Sequence, residues 1–199
     1  MPNWCTNHLR VTGSKDDILE LFTIAGAGNS ILTDAITVSH VVLPGSEAQL
    51  TQAIVRNADT TGVFSFNGHV PEPELEGEGW YEWRNKNWGT KWDVNDVFVV
   101  DVSCSVAGVW SVTIQFDTAW CPPYEWLAKL CSHHPQVDIR LIWNEEQGLL
   151  GAFRSVDGSL AEEEITFEQA ESEGFSCVYA PYDELFDELE EDTSATAVV

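Results

Sequence analysis

The run VFVVDVSCSVAGVWSVTIQFDTAWCPPYEWLAKLCSHHPQVDIRLIW, residues 97–143, decides the fold. Its first twenty positions hold two β-branched and aromatic stretches, Val97–Val106 and Val109–Phe116, parted by Ala107-Gly108. A small pair of turn residues between two such stretches is the pattern of a β-hairpin. Pro122 and Pro123 then open a segment whose apolar positions, Trp126, Leu127 and Leu130, follow helical spacing until His133-His134-Pro135 stops it. Beyond it Val137, Ile139, Leu141 and Trp143 alternate strictly, which predicts a strand with one buried face.

Working outward toward the N-terminus, residues 4–12 (WCTNHLRVT) alternate loosely and end at Gly13, a further strand. Ser14 stands where an N-cap belongs, and Asp16 and Asp17 fall in the first turn, where the helix dipole favours carboxylates. Ile18, Leu19, Leu21 and Phe22 supply the apolar stripe, and Gly26-Ala-Gly28 ends the helix. That glycine pair closes a helix rather than opening one, so it is no phosphate loop. Residues 46–58 read as another helix capped by Ser46, and about 63–95 is irregular, crowded with Gly, Pro, Glu and Trp. With 30–95 taken as an insertion, the order is strand, helix, strand, strand, helix, strand. That is the ferredoxin-like order of an α+β domain: an antiparallel sheet with its helices on one face. The run from Leu149 to Arg154 and the turn at Val156-Asp157-Gly158 add strands at the sheet edge. The expected organisation is one domain over residues 1–165 and an acidic extension over 166–199.

Charge is the most unusual total: 33 acidic residues against 9 basic, a net of −24. From Glu145 onward there are 16 acidic residues and one basic, Arg154. Affinity for a phosphate backbone comes mainly from Lys and Arg, so direct nucleic-acid binding is not expected. A field of this sign favours a basic partner surface, and a plain solvated surface has the same composition. The five cysteines form no CxxC pair and are odd in number, which fits a reducing compartment better than a disulfide framework. Met1-Pro2-Asn3-Trp4 lacks a basic segment leading an apolar one, and no apolar run reaches membrane-spanning length. A cytoplasmic protein with no membrane association is expected.

Two groups of residues are candidates for contact. Glu162, Glu163, Glu164, Asp183, Glu184, Asp187, Glu188, Glu190, Glu191 and Asp192 are dense enough to resemble the charge of a DNA backbone, and equally fit a solvated tail. Trp80, Trp83, Arg84, Trp88, Lys91 and Trp92, with Asp117 and Trp120 further on, mix flat rings with cations in the way that suits a stacked small ligand or nucleotide. The competing role for those rings is to anchor a long insertion on the sheet, and for Asp117 a structural ion pair with Arg84 or Lys91. Cys5 and His8 have a C-x2-H spacing, but a strand sends positions 5 and 8 to opposite faces, so no metal site is expected. Cys121 lacks an evident His or Asn partner for nucleophilic work. No cofactor and no catalytic residue is assigned, and the protein is expected not to be an enzyme.

Four stretches, Asn3-Trp4-Cys5-Thr6-Asn7-His8-Leu9, Phe66-Asn67-Gly68-His69-Val70-Pro71-Glu72-Pro73, Trp80-Tyr81-Glu82-Trp83-Arg84 with Trp88-Gly89-Thr90-Lys91-Trp92, and Phe116-Asp117-Thr118-Ala119-Trp120-Cys121-Pro122-Pro123, resemble the YubB-like proteins of phages and conjugative plasmids. The resemblance implies a ferredoxin-like core and a mobile-element origin, and it carries no activity over. Mobile elements commonly carry inhibitors of restriction or CRISPR systems. The expected function is therefore an acidic protein that binds and blocks a host nucleic-acid-handling protein, and a homodimer through exposed strand edges is compatible with the same sequence.

Overall fold

The computed structural model describes residues 3–25, 64–74, 77 and 79–176. Six antiparallel strands, β1 (Trp4–Gly13), β2 (Asn95–Cys104), β3 (Trp110–Ala119), β4 (Asp138–Glu145), β5 (Leu150–Val156) and β6 (Ser159–Glu163), form one sheet in the order β2-β3-β1-β4-β5-β6. The described helices are α1 (Lys15–Ala25), α2 (Phe66–His69), α3 (Gly79–Asn87), α4 (Tyr124–His133) and α5 (Phe167–Ser172).

Period-2 alternation divides the sheet into two unlike faces. On one face Leu9 of β1 lies opposite Ile114 of β3 and Leu141 of β4, and Val11 lies opposite Val112 and Ile139. These side chains pack with Ile18, Leu21 and Phe22 of α1 and with Trp126, Leu127 and Leu130 of α4 in the main core. The Ser14 hydroxyl accepts the Asp17 amide at 3.2 Å, so α1 begins where the cap residue predicts. Within β5, Gly151 lies across from Trp143, and a Cβ there would sit 2.7 Å from the indole, so only glycine admits this ring.

The insertion joins the main core through its rings. Phe64, Phe66, Trp88, Phe116 and Trp126 form a cluster of mostly edge-on and tilted pairs with centroids 4.8–6.3 Å apart. Gly79–Asn87, in the stretch expected to be irregular, is the helix α3. The helix expected at 46–58 lies outside the described residues.

The other face carries a smaller cluster, Ile142, Ala152, Ala170 and Phe175, made where α5 and the turn after it fold back on β4 and β5. A reciprocal capping box, Thr166 with Gln169, starts α5. The charge-based boundary at 165 thus marks no break in packing, because residues 166–175 belong to the domain. Among the described residues no helix is long and apolar enough to cross a membrane, and Cys5, Cys104, Cys121 and Cys131 are free thiols.

Candidate functional site

The face of the sheet away from α1 and α4 is polar, and register pairing arranges it in rows. One row runs Asp101, Thr113, Arg10, Arg140, Arg154 across β2, β3, β1, β4 and β5. The row beside it holds Ser103, Ser111 and Thr12. A third holds Phe98, Gln115, His8, Ile142, Ala152 and Glu163. Three arginines directly opposite one another repel, and the fold answers with two carboxylates. Glu173, at the end of α5, is joined by Arg140 Nε and Nη2 at 2.7 Å each. The Arg10 guanidinium approaches the same carboxylate at 3.6 Å and donates to the Glu173 carbonyl at 2.6 Å. Glu163 of β6 pairs with Arg140 and with Arg154, the latter at 3.2 Å. Burial acts to raise the Glu173 pKa, and the Arg140 hydrogen bonds with the charges of Arg140, Arg10 and Arg154 outweigh it, leaving the group below its usual 4.5.

Beside this network lies a cleft of about 460 Å³ over β2, β3 and β1, with His8, Arg10, Thr113, Glu173 and Gly174 among its lining. His8 is only 6% exposed, and its Nε2 is buried without a hydrogen-bond partner. Burial, and then the Arg10 charge, bring its pKa from 6.5 to about 4 against the opposing pull of Glu173, so the ring is neutral at neutral pH. A hollow of about 10 Å³ between His8, Arg10, Arg140, Ile142 and Glu173 has about the volume one water molecule needs.

The tryptophan-rich segment is arranged differently from a ligand site. Trp88 is 1% exposed, and its Nε1 donates to the Val70 carbonyl at 2.9 Å. Trp83 packs edge-on against it with centroids 5.5 Å apart. Arg84 lies 5.1 Å from the rings of both Trp80 and Trp88 and forms a two-pronged pair with Glu72 at 2.6–3.1 Å, so its charge is already matched. Lys91 rests over Trp92 at 4.8 Å, and Trp92 leans on Trp4 at 6.1 Å. Asp117 accepts from the Thr6 hydroxyl at 2.9 Å, rather than pairing with Arg84 or Lys91 as expected, and burial raises its pKa. Trp120 is 54% exposed, with its backbone in the left-handed region at φ 77°. These residues plug the insertion onto the sheet, leaving Trp120 as the ring turned to solvent.

The stretches that carried the sequence resemblance fasten one another. Asn7 donates to the Cys5 carbonyl and the Thr118 hydroxyl at 2.8 Å each, and Thr118 donates to the Cys121 carbonyl at 2.8 Å. The Cys121 thiol donates to the Gly89 carbonyl at 3.0 Å, and Thr90 to the Ala119 carbonyl at 2.9 Å. Asp93 accepts from Ser65 and from the Phe66 amide at 2.7 Å each. Gly89 adopts φ 81°, and a Cβ there would meet the first amide of α4 at 3.0 Å. The spacing of these motifs is explained by this knot. His69 and His134 face each other at 3.2 Å between their Nε2 atoms, a pair the sequence did not reveal because they lie 65 residues apart. Cys5 lies on the helix-covered face and His8 on the other, as alternation required. Among the described residues no group of three or more His, Cys, Asp or Glu side chains is placed to hold a metal ion.

Of the carboxylates named as partner-binding, Glu162 and Glu164 are exposed, whereas half-buried Glu163 is committed to Arg140 and Arg154. Asp183, Glu184, Asp187, Glu188, Glu190, Glu191 and Asp192 lie outside the described residues.

A core ordered β2-β3-β1-β4 with α1 and α4 on one face defines a ferredoxin-like α+β protein, extended at one edge by β5 and β6. The chain belongs to the family described as the ferredoxin-like domain in Api92-like protein, which matches residues 87–195. Among solved structures it is similar to the protein api92 from Yersinia pseudotuberculosis, with a TM-score of 0.46, 10% identity, and coverage of 83% of this chain and 99% of that one. A search of the curated proteins finds no match.

Proposed function

We propose that this protein binds a positively charged surface of another protein and blocks it, the target being a host protein that handles nucleic acid. Its carboxylates would stand where DNA phosphates otherwise dock. One observation carries this reading: the described cations are spent internally, while most carboxylates are not. Arg84 is matched by Glu72, and Arg10, Arg140 and Arg154 by Glu163 and Glu173. Lys129 is bound to Asn87, and Lys15 and Lys91 lie over Trp110 and Trp92. That leaves Lys86, exposed on α3, as the one described cation without such a contact. Asp16, Asp17 and Glu20 on α1, with Glu162 and Glu164 beyond β5, enter no ion pair among the described residues. Among the described residues, most carboxylates are therefore left without a paired cation beside them.

The resemblance to YubB-like proteins of phages and conjugative plasmids supports a host defence protein as the target class. A small ligand held by the tryptophan segment is disfavoured, since Arg84 and Trp88 are already occupied. The test is competition. The protein should displace DNA from its target at ~0.1 M salt and lose that ability at 1 M, where the Debye length shrinks from ~10 Å to ~3 Å. Binding that ignores salt, or that DNA cannot displace, would refute charge mimicry.

A further inference from the structure

His69, at the end of α2, and His134, just past α4, join the insertion to the core. Their Nε2 atoms face one another at 3.2 Å, with the ring planes at 89°. The Nδ1 atoms of both rings are buried without a hydrogen-bond partner. One contact between two imidazoles, with two ring nitrogens left unpaired, is poor compensation for burying them. His134 is 4% exposed, and His69 is half-buried edge-on to Trp126, with centroids 6.0 Å apart. Burial, and then the His134 and His133 charges, hold His69 near 4, and burial lowers His134 as well, so both rings are neutral at neutral pH. A neutral imidazole is the form that ligates a metal. The charged groups acting on His134 are Glu20 and Asp17 of α1, which favour a cation there, and His133, which opposes one when protonated.

We propose that His69 and His134 are two ligands of a zinc ion, bound through their Nε2 atoms, with water completing its shell. Two nitrogens at about 2.0–2.1 Å from a tetrahedral zinc stand about 3.3–3.4 Å apart, so the observed 3.2 Å needs almost no adjustment. Imidazole nitrogens suit a borderline ion such as zinc and select against calcium and magnesium, which take oxygen ligands. The ion clips α2 to the end of α4, adding a bond to the ring packing that fastens the insertion. This site is independent of the acidic surface, so the failure of either leaves the other standing.

The test is calorimetric titration of the full chain with zinc chloride at neutral pH, in ~0.5 M salt to screen the surface carboxylates. One zinc per chain is expected. His69→Gln should weaken binding by about tenfold or more, as the loss of a direct ligand, whereas His133→Gln, at the exposed neighbour, should weaken it less than about threefold. Because a variant at a packed position can lose its fold, the wild type is also followed by the nitrogen chemical shifts of its five histidine rings. Zinc should move Nε2 of His69 and His134 and leave His8 and His133 in place. Absence of stoichiometric binding, or binding that survives His69→Gln, would overturn the site. An equal response to calcium, or ring shifts confined to other histidines, would place the ion on surface groups and overturn it as well.

Discussion

The two faces of the sheet are held by different physics. On the face under α1 and α4, adhesion comes mainly from packed aromatic and aliphatic side chains, with Trp88 against Phe66 of α2 and Trp83 of α3. On the other face, adhesion comes from four small or apolar residues and from charges: Arg10, Arg140 and Arg154 against Glu163 and Glu173. Apolar contacts carry no charge to titrate or screen, whereas ion pairs respond to both pH and ionic strength. The first face therefore sets whether the protein folds, and the second sets how its open surface responds to what approaches it. The largest expected effect lies on the first. Trp88→Ala should cost about 3–5 kcal/mol, the usual penalty for emptying a buried aromatic site, and should be read from urea denaturation. A loss no larger than that of a surface residue would mean that the insertion does not share the main core.

The second effect sits where the two kinds of adhesion meet. His8 is buried on the polar face, with its pKa lowered from 6.5 to about 4. The unfolded chain takes up a proton near 6.5 and the folded chain only near 4. Stability is therefore intact above that window and falls as pH drops through it. The full contribution is on the order of 3 kcal/mol. His8→Phe should flatten the acid limb between pH 6.5 and 4.5 in urea midpoints. His69, which burial and then the charges of His134 and His133 hold near 4, will keep part of the slope. An unchanged limb would mean that His8 is hydrated in solution.

The same contrast governs what the sequence disclosed. Alternation in residues 4–12, 97–116 and 137–143 was enough to place β1 to β4, and Ser14 and the Pro-Pro pair marked the helix starts, because burial on one face imposes a period. β6 was harder to see, since Ser159–Glu163 has no apolar alternation and is held by its hairpin and by the Glu163 ion pairs. Helix α3 was hidden because its rings face several neighbours at once and leave no stripe. For α5 a local signal did exist: Thr166 and Gln169 at capping-box spacing. The candidate cleft was invisible, because Asp101, Thr113 and Arg10 become neighbours only through strand pairing. Asp117 was expected to pair with a cation for the same reason: its hydrogen-bond donor, Thr6, is brought beside it from 111 residues away by register.

Glu173→Gln tests the ionic side directly. Arg140 and Glu173 are 14% and 26% exposed at their side chains, between the surface and buried limits, so a loss of about 1–2 kcal/mol at neutral pH is expected. Glu173 has a pKa below 4.5, so its contribution is present above the ordinary carboxylate range and fades as pH falls through the lowered value. The deficit of the variant should shrink toward pH 3. A double-mutant cycle with Arg140→Gln should show coupling, and additivity would mean that the pair adds nothing beyond two separate contacts.

The smallest effect concerns Trp120, which belongs to neither face. It is 54% exposed and holds φ 77°, a region that penalises any side chain with a Cβ by about 1–2 kcal/mol. Truncating an exposed ring should by itself change stability by no more than about 0.5 kcal/mol. Trp120→Ala should therefore fold much as the wild type does, and Trp120→Gly should be more stable than Trp120→Ala by about 1 kcal/mol, because only glycine relieves the backbone. Differential scanning calorimetry of the three proteins decides it. If glycine outranks tryptophan as well, the fold gains nothing from the ring at this site, and the reason for a strained, exposed tryptophan must lie in what it touches on a partner. If tryptophan outranks both, the ring is anchoring the junction between β3 and α4, and its exposure is incidental to that work.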